Sequence, residues 1–178
     1  MSGAVLPDAD LRALVDELQI RRVLATYCRA IDRCDAELLR TAYWPDAVDN
    51  HGIFNGNAME FVDFILPMLR TMRSTTHSIS NVFIELLGET ANVESYVNAY
   101  HSAQGPEGPI DIIVAGRYLD RMERRGREWR IAHRQFVLDW NQNLAASSQW
   151  DGPLFGALDV RGTHERSDPS YSLFRSDR

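Results

Sequence analysis

The sequence predicts an α+β fold in which N-terminal helices pack over the concave face of a cone-shaped, curved antiparallel sheet, an α+β barrel. Helical periodicity is confined to roughly the first 72 residues, and four strand-like runs follow, over about 76–87, 91–104, 110–124 and 128–140. A chain of 178 residues with 44% hydrophobic content can bury one substantial core. This places a single cone domain over residues 1–140, with an arm over 141–178 that covers the pocket or a neighbouring subunit.

Asp8 and Asp10 can cap a first helix carrying two apolar sets, Leu11, Leu14, Val15 and Leu18, then Ile20, Val23, Leu24, Tyr27 and Ile31. At about 100° per residue the sets point in nearly opposite directions, so either the helix bends near Leu18 or its first half packs on another subunit. Asp35 caps a second helix that ends before Trp44-Pro45-Asp46, and a short strand and turn follow around Asn55-Gly56. Phe61, Val62, Ile65, Met68, Leu69 and Met72 then recur at helical spacing, with Pro67 as a kink. The four strands form a meander with tight turns at Gly88-Glu89 and residues 124–127 and a looser connection over 104–109. Closed at one end by the curl, such a cone leaves an apolar pocket for a drug-sized ligand at the other.

A net charge of −6 without a basic patch or basic helix argues against nucleic acid and anionic membrane as partners. Small molecules and protein partners, including further copies of the chain as a dimer or trimer, remain. All 19 cationic residues are arginine, which excludes Schiff-base lysine chemistry and a P-loop lysine. Neither a basic N-terminal segment followed by an apolar stretch nor a run of about 18 apolar residues occurs, which points to the cytoplasm. Cys28 and Cys34 have no metal or redox spacing, in keeping with a reducing compartment. His51, His77, His101, His133 and His164 form no short-range ligand cluster, and nucleotide, flavin and zinc motifs are absent. No metal or cofactor is expected, leaving acid–base chemistry.

Asp32 stands out within that chemistry. It lies at the C-terminal end of an apolar helix, where the helix dipole and neighbours Leu24, Cys28 and Ile31 disfavour its charge. His77, at the start of the strand around Ile79, Val82 and Phe83, is a partner that a carboxylate would orient as a general base.

The runs Glu17 to Asp35, Trp44-Pro-Asp-Ala-Val48, Thr76-His77-Ser-Ile-Ser-Asn81, Gly116-Arg-Tyr-Leu-Asp120 and Trp129-Arg-Ile-Ala-His-Arg134 resemble the SnoaL-like group. That group belongs to the nuclear-transport-factor-2-like superfamily, with scytalone dehydratase, the dehydrochlorinase LinA and bile-acid 7α-dehydratases. The resemblance covers about residues 10–140 and implies the cone fold. It implies that Asp32 and His77 match the helix-borne aspartate and strand-borne histidine of the eliminating enzymes. Tyr27 is similar to a tyrosine five residues before that aspartate, Arg134 to an arginine on the last strand, and His101 to a second pocket histidine.

Residue geometry constrains these matches. An ideal helix sets Tyr27 about 140° from Asp32, so both line one cavity only if it wraps the helix end. Arg134 shares strand parity with Ala132, Phe136 and Leu138, which turns it inward and requires a buried anionic partner, Asp32 or a substrate oxygen. Tyr100 and His101 are both candidates for substrate binding with Tyr27 and Arg134, but their opposite parity lets at most one enter the cone without a bulge. His51, His133 and His164 read as structural or surface residues. The implied activity is cofactor-free lyase or isomerase chemistry, foremost dehydration of a small hydrophobic, polycyclic, steroid-like or aromatic carbonyl compound. The alternatives are a non-catalytic ligand-binding or accessory module of the dioxygenase small-subunit type, and a polyketide-cyclase-type aldol catalyst.

Overall fold

A 25-residue helix, α1 (Asp8–Asp32), opens the computed structural model, which describes residues 7–174. Residues 1–6, part of the N-terminal segment read for a targeting signal, and residues 175–178 lie outside the described residues. The helix begins at Pro7 without a side-chain cap, so Asp8 and Asp10 act only as first-turn carboxylates facing the helix dipole. It runs unbroken past Leu18. The second apolar set is buried through Ile20, Leu24, Tyr27 and Ile31, whereas the first remains exposed, Leu18 at 67%. Asp16 ties this first half to the sheet by accepting a 2.8 Å hydrogen bond from Trp129 Nε1.

The chain leaves α1 through Cys34, in the left-handed region with φ 49°. Asp35 then caps α2 (Ala36–Thr41), its Oδ1 accepting from the Leu38 N–H at 3.1 Å. Strands β1 (Tyr43–Asn50) and β2 (Asn55–Asn57) follow, then α3 (Ala58–Arg70), capped by Asn57. Pro67 is accommodated inside α3, which buries Phe61, Val62, Ile65, Leu66 and Leu69.

Four long strands complete the sheet: β3 (Ser74–Leu87), β4 (Thr90–Gly105), β5 (Gly108–Arg125) and β6 (Glu128–Ala145). The spatial order is β2-β1-β6-β5-β4-β3, antiparallel throughout except that β1 runs parallel to β6. The sheet stays open, with β2 and β3 as its edges. All three meander connections are two-residue turns, including the expected looser one, where Gly105 pairs with Gly108.

Curvature comes from irregular pairing. Register shifts interrupt β3/β4 between Ser80 and Phe83, where Asn81 has φ 47°, and β5/β6 at Ala115/Gly116 and Arg121/Met122. A Cβ at Gly116 would fall 2.2 Å from the Val137 carbonyl oxygen, so only glycine permits this close approach of β5 to β6. The bent sheet closes around a core of α1 and α3 side chains with Val93, Val97, Tyr118, Met122, Trp129 and Ile131.

Beyond β6 the chain carries two short helices, α4 (Gly152–Phe155) and α5 (Ser170–Leu173), and returns to the C-terminal end of α1. Arg29 donates to Ser170 Oγ at 3.0 Å, Arg33 pairs with buried Asp168 at 3.6 Å, and Tyr171 donates to Asp35 Oδ2 at 2.8 Å. No helix among the described residues is long and apolar enough to cross a membrane.

Candidate active site

The concave face and the helices enclose a cavity of about 630 Å³, within the range of sites that hold drug-sized ligands. Its wall is mostly apolar, from Ile31 on α1, Phe61, Ile65 and Leu69 on α3, and Val97, Ala99 and Phe136 on the sheet. The polar side chains in it are few: Tyr27, His51, His77, His101, Tyr118 and Asn141.

Asp32 and His77 meet at one edge. As the last residue of α1, Asp32 lies against the first residues of β3. Its Oδ2 accepts the His77 backbone N–H at 2.9 Å, and its Oδ1 bonds the His77 ring Nδ1 at 2.7 Å. Thr75 adds a weaker contact at 3.4 Å. These donors offset the unfavourable end of the helix dipole. Both side chains are largely buried, 11% exposed for Asp32 and 7% for His77. With Nδ1 engaged, Nε2 is the ring nitrogen left for the cavity.

His101, on β4, lies edge-on to His77 with ring centroids 5.3 Å apart. Burial, reinforced by the neighbouring His77, pushes its pKa down to about 4, so it is neutral near pH 7. Tyr100, its neighbour of opposite parity, turns away from the cavity and donates to Asp111 at 2.7 Å. Its expected substrate-binding role is corrected accordingly: the single-residue alternation that brings His101 in takes Tyr100 out.

Tyr27 is fully buried, lines the cavity, and its hydroxyl has no hydrogen-bond partner among the described residues. Desolvation raises its pKa well above the usual phenol value, so it remains a neutral donor. Arg134 projects inward and has a buried anion, as its parity requires, but the anion is Asp120, its register partner on β5. Nε and Nη2 donate to the two Asp120 oxygens at 2.7 Å each. The guanidinium lies 4.1 Å from the Tyr27 ring centroid and 3.9 Å from that of Tyr118, behind both tyrosines rather than in the cavity wall. Direct substrate contact by Arg134 is therefore corrected to support of Tyr27 through its ring.

His133 faces outward, and His164 reaches from the arm to Thr75 Oγ1 at 3.5 Å. His51, read as structural or surface, instead lines the cavity. The signal that would have found it is the Asp49-x-His51 spacing, which puts a carboxylate and an imidazole on one face of an extended strand. Burial pushes the Cys28 thiol up to about 12, which removes it as a thiolate nucleophile. Among the described residues no three His, Cys, Asp or Glu side chains gather closely enough to hold a metal ion.

An open, curled sheet with helices over its hollow and a buried polar cluster at the helix end defines a class of small cone-shaped α+β domains. Within that class the chain belongs to the SnoaL-like domain family, whose profile matches residues 12–135. Several solved structures share the fold. A hexachlorocyclohexane dehydrochlorinase (LinA) type 2 is 21% identical, with 82% of this chain and 99% of that one covered at a TM-score of 0.68. A putative scytalone dehydratase from Novosphingobium aromaticivorans is 23% identical, covering 76% and 92% at 0.67. The Kfla4162 protein from Kribbella flavida is 16% identical, covering 73% and 95% at 0.67. No curated protein matches the sequence.

Proposed function

We propose that the protein is a cofactor-free acid–base lyase, a dehydratase of a small hydrophobic carbonyl compound, with Asp32 and His77 as its catalytic pair. The observation that carries this reading is the 2.7 Å contact between His77 Nδ1 and Asp32, which leaves Nε2 to an apolar cavity. Neutral His77 removes a proton from the carbon next to the substrate carbonyl. The electron pair of that C–H bond forms a C–C double bond as the carbonyl π pair moves onto oxygen. Tyr27 donates a hydrogen bond to the enolate oxygen in a site with little water, where such a donor is most effective. Collapse of the enolate expels hydroxide from the adjacent carbon, and the His77 imidazolium returns its proton to form water. Asp32 holds the ring and balances its transient charge. If the enolate is instead reprotonated at another carbon, the same groups perform an isomerisation.

The exposed Leu11, Leu14, Val15 and Leu18 support a homo-oligomer, dimer or trimer, and we assign the chain to the cytoplasm. Light scattering on the purified protein tests the first of these: a monomer at micromolar concentration removes it.

The functional test is a panel of hydrophobic β-hydroxy ketones, followed by enone absorbance and by exchange of the acidic C–H in deuterium oxide. Turnover by the wild type that is lost in His77→Gln and Asp32→Asn is expected. Full turnover in either variant defeats the assignment, and tight binding without elimination or exchange identifies a binding module instead.

A further inference from the structure

We infer that the cavity contains a second imidazole–carboxylate unit, His51 with Asp49, and that it binds a second oxygen of an elongated ligand, remote from the carbon facing His77. The inference rests on the reading of this cavity as the substrate site.

Asp49, on β1, is fully buried, and Tyr43 donates to its Oδ2 at 2.6 Å. Its Oδ1 meets Nδ1 of His51, just past the end of the strand, in a short contact. The His51 ring is held face to face between Phe61 at 4.6 Å and 14° and Phe136 at 5.6 Å and 7°. A tight turn closes beneath it, with the His51 N–H donating to the Phe54 carbonyl at 2.9 Å. The ring therefore has one orientation, one engaged nitrogen, and one nitrogen free for the cavity it lines.

Structure alone gives little reason for this arrangement. Two phenyl rings bracket a polar ring where an apolar side chain would pack as well, and a carboxylate is fully buried behind it. The neighbouring Arg134 directs Nε and Nη2 to Asp120, whereas Asp49 accepts from Tyr43 and engages His51. With Nδ1 turned to that carboxylate, His51 Nε2 lies on the opposite edge of the ring, where it can exchange a hydrogen bond with a ligand oxygen.

The two units enter the cavity from different elements. Between β1 and β3 the sheet order has four strand steps, an upper limit of roughly 19 Å at about 4.8 Å each that the curl shortens. His51 and His77 thus reach one cavity from separate parts of the sheet. The ligand class that satisfies both is a rigid, apolar skeleton of two or more rings with an oxygen function at each end.

Calorimetric binding of biphenyl, 4-hydroxybiphenyl and 4,4′-dihydroxybiphenyl tests this without any turnover. The diol should bind wild type about tenfold more tightly than the mono-ol, the gain expected of one added hydrogen bond to an ionisable group. In His51→Phe, which preserves the aromatic stack, that advantage should fall to about twofold or less. In His77→Ala, the mono-ol should keep its roughly tenfold advantage over biphenyl. An undiminished diol advantage in His51→Phe overturns the proposal. Histidine-labelled wild type provides an independent measure should that variant fail to fold: the diol must shift the His51 ring resonances, and movement of only His77 and His101 overturns it. Oxygen selectivity at His51 in a protein that turns over no ketone would leave this site standing and remove the lyase reading alone.

Discussion

Asp32 bonds His77 twice, at the main-chain N–H at 2.9 Å and at ring Nδ1 at 2.7 Å, so one carboxylate fixes both the strand and the imidazole it carries. Asp32→Asn retains the shape but presents an amide where the ring needs an acceptor with charge. On the dehydratase reading, turnover should fall by about 10²–10⁴-fold while ligand affinity changes less than threefold. Comparing kcat with a separately measured Kd checks it. A matching loss of affinity would mean that Asp32 merely shapes the pocket.

His101 gives the fold an acid sensitivity. Its pKa near 4 lies below the unfolded value of about 6.5, so between these limits the unfolded chain takes up a proton that the folded chain refuses. This contribution to stability is complete above about pH 6.5 and declines toward pH 4, by roughly 2–3 kcal/mol for a mostly buried ring. Urea unfolding across that range should show the decline in wild type and a shallower one in His101→Gln.

Arg134 and Asp120 are both fully buried, and losing either strands the other. Arg134→Met should cost about 3–5 kcal/mol and lower Tm by about 10 °C. Adding Asp120→Leu should restore most of that loss, because it removes the unpaired charge. Thermal scans of the single and double variants make the comparison, and a double variant no better than the single one contradicts it.

Gly116 permits the close approach of β5 and β6. Gly116→Ala forces a methyl group against the Val137 carbonyl, 2.2 Å from its ideal position, and should destabilise by about 1–3 kcal/mol. Denaturant midpoints at constant m-value test this.

Much of the architecture was legible in local patterns. Period-2 runs located β3 to β6, and the Asp35 cap and helical spacing located α2 and α3. The parallel pairing of β1 with β6 was not legible, because it joins segments distant in the chain and leaves no local signature. The Asp32–His77 contact could be anticipated from an ill-placed carboxylate and family spacing. The partner of Arg134 depended on cross-strand register, which parity alone does not supply. His51 went unrecognised as a cavity residue because it follows the strand end, and its burial is created by Phe61 and Phe136 from two other elements.

Asp35 divides its oxygens between the first turn of α2 and the phenol of Tyr171. Departure of the C-terminal arm would therefore free half of a carboxylate three residues beyond Asp32, at the corner where the first helix hands over to the second. The arm is thereby anchored at the same corner of the fold that presents Asp32 to the first residues of β3.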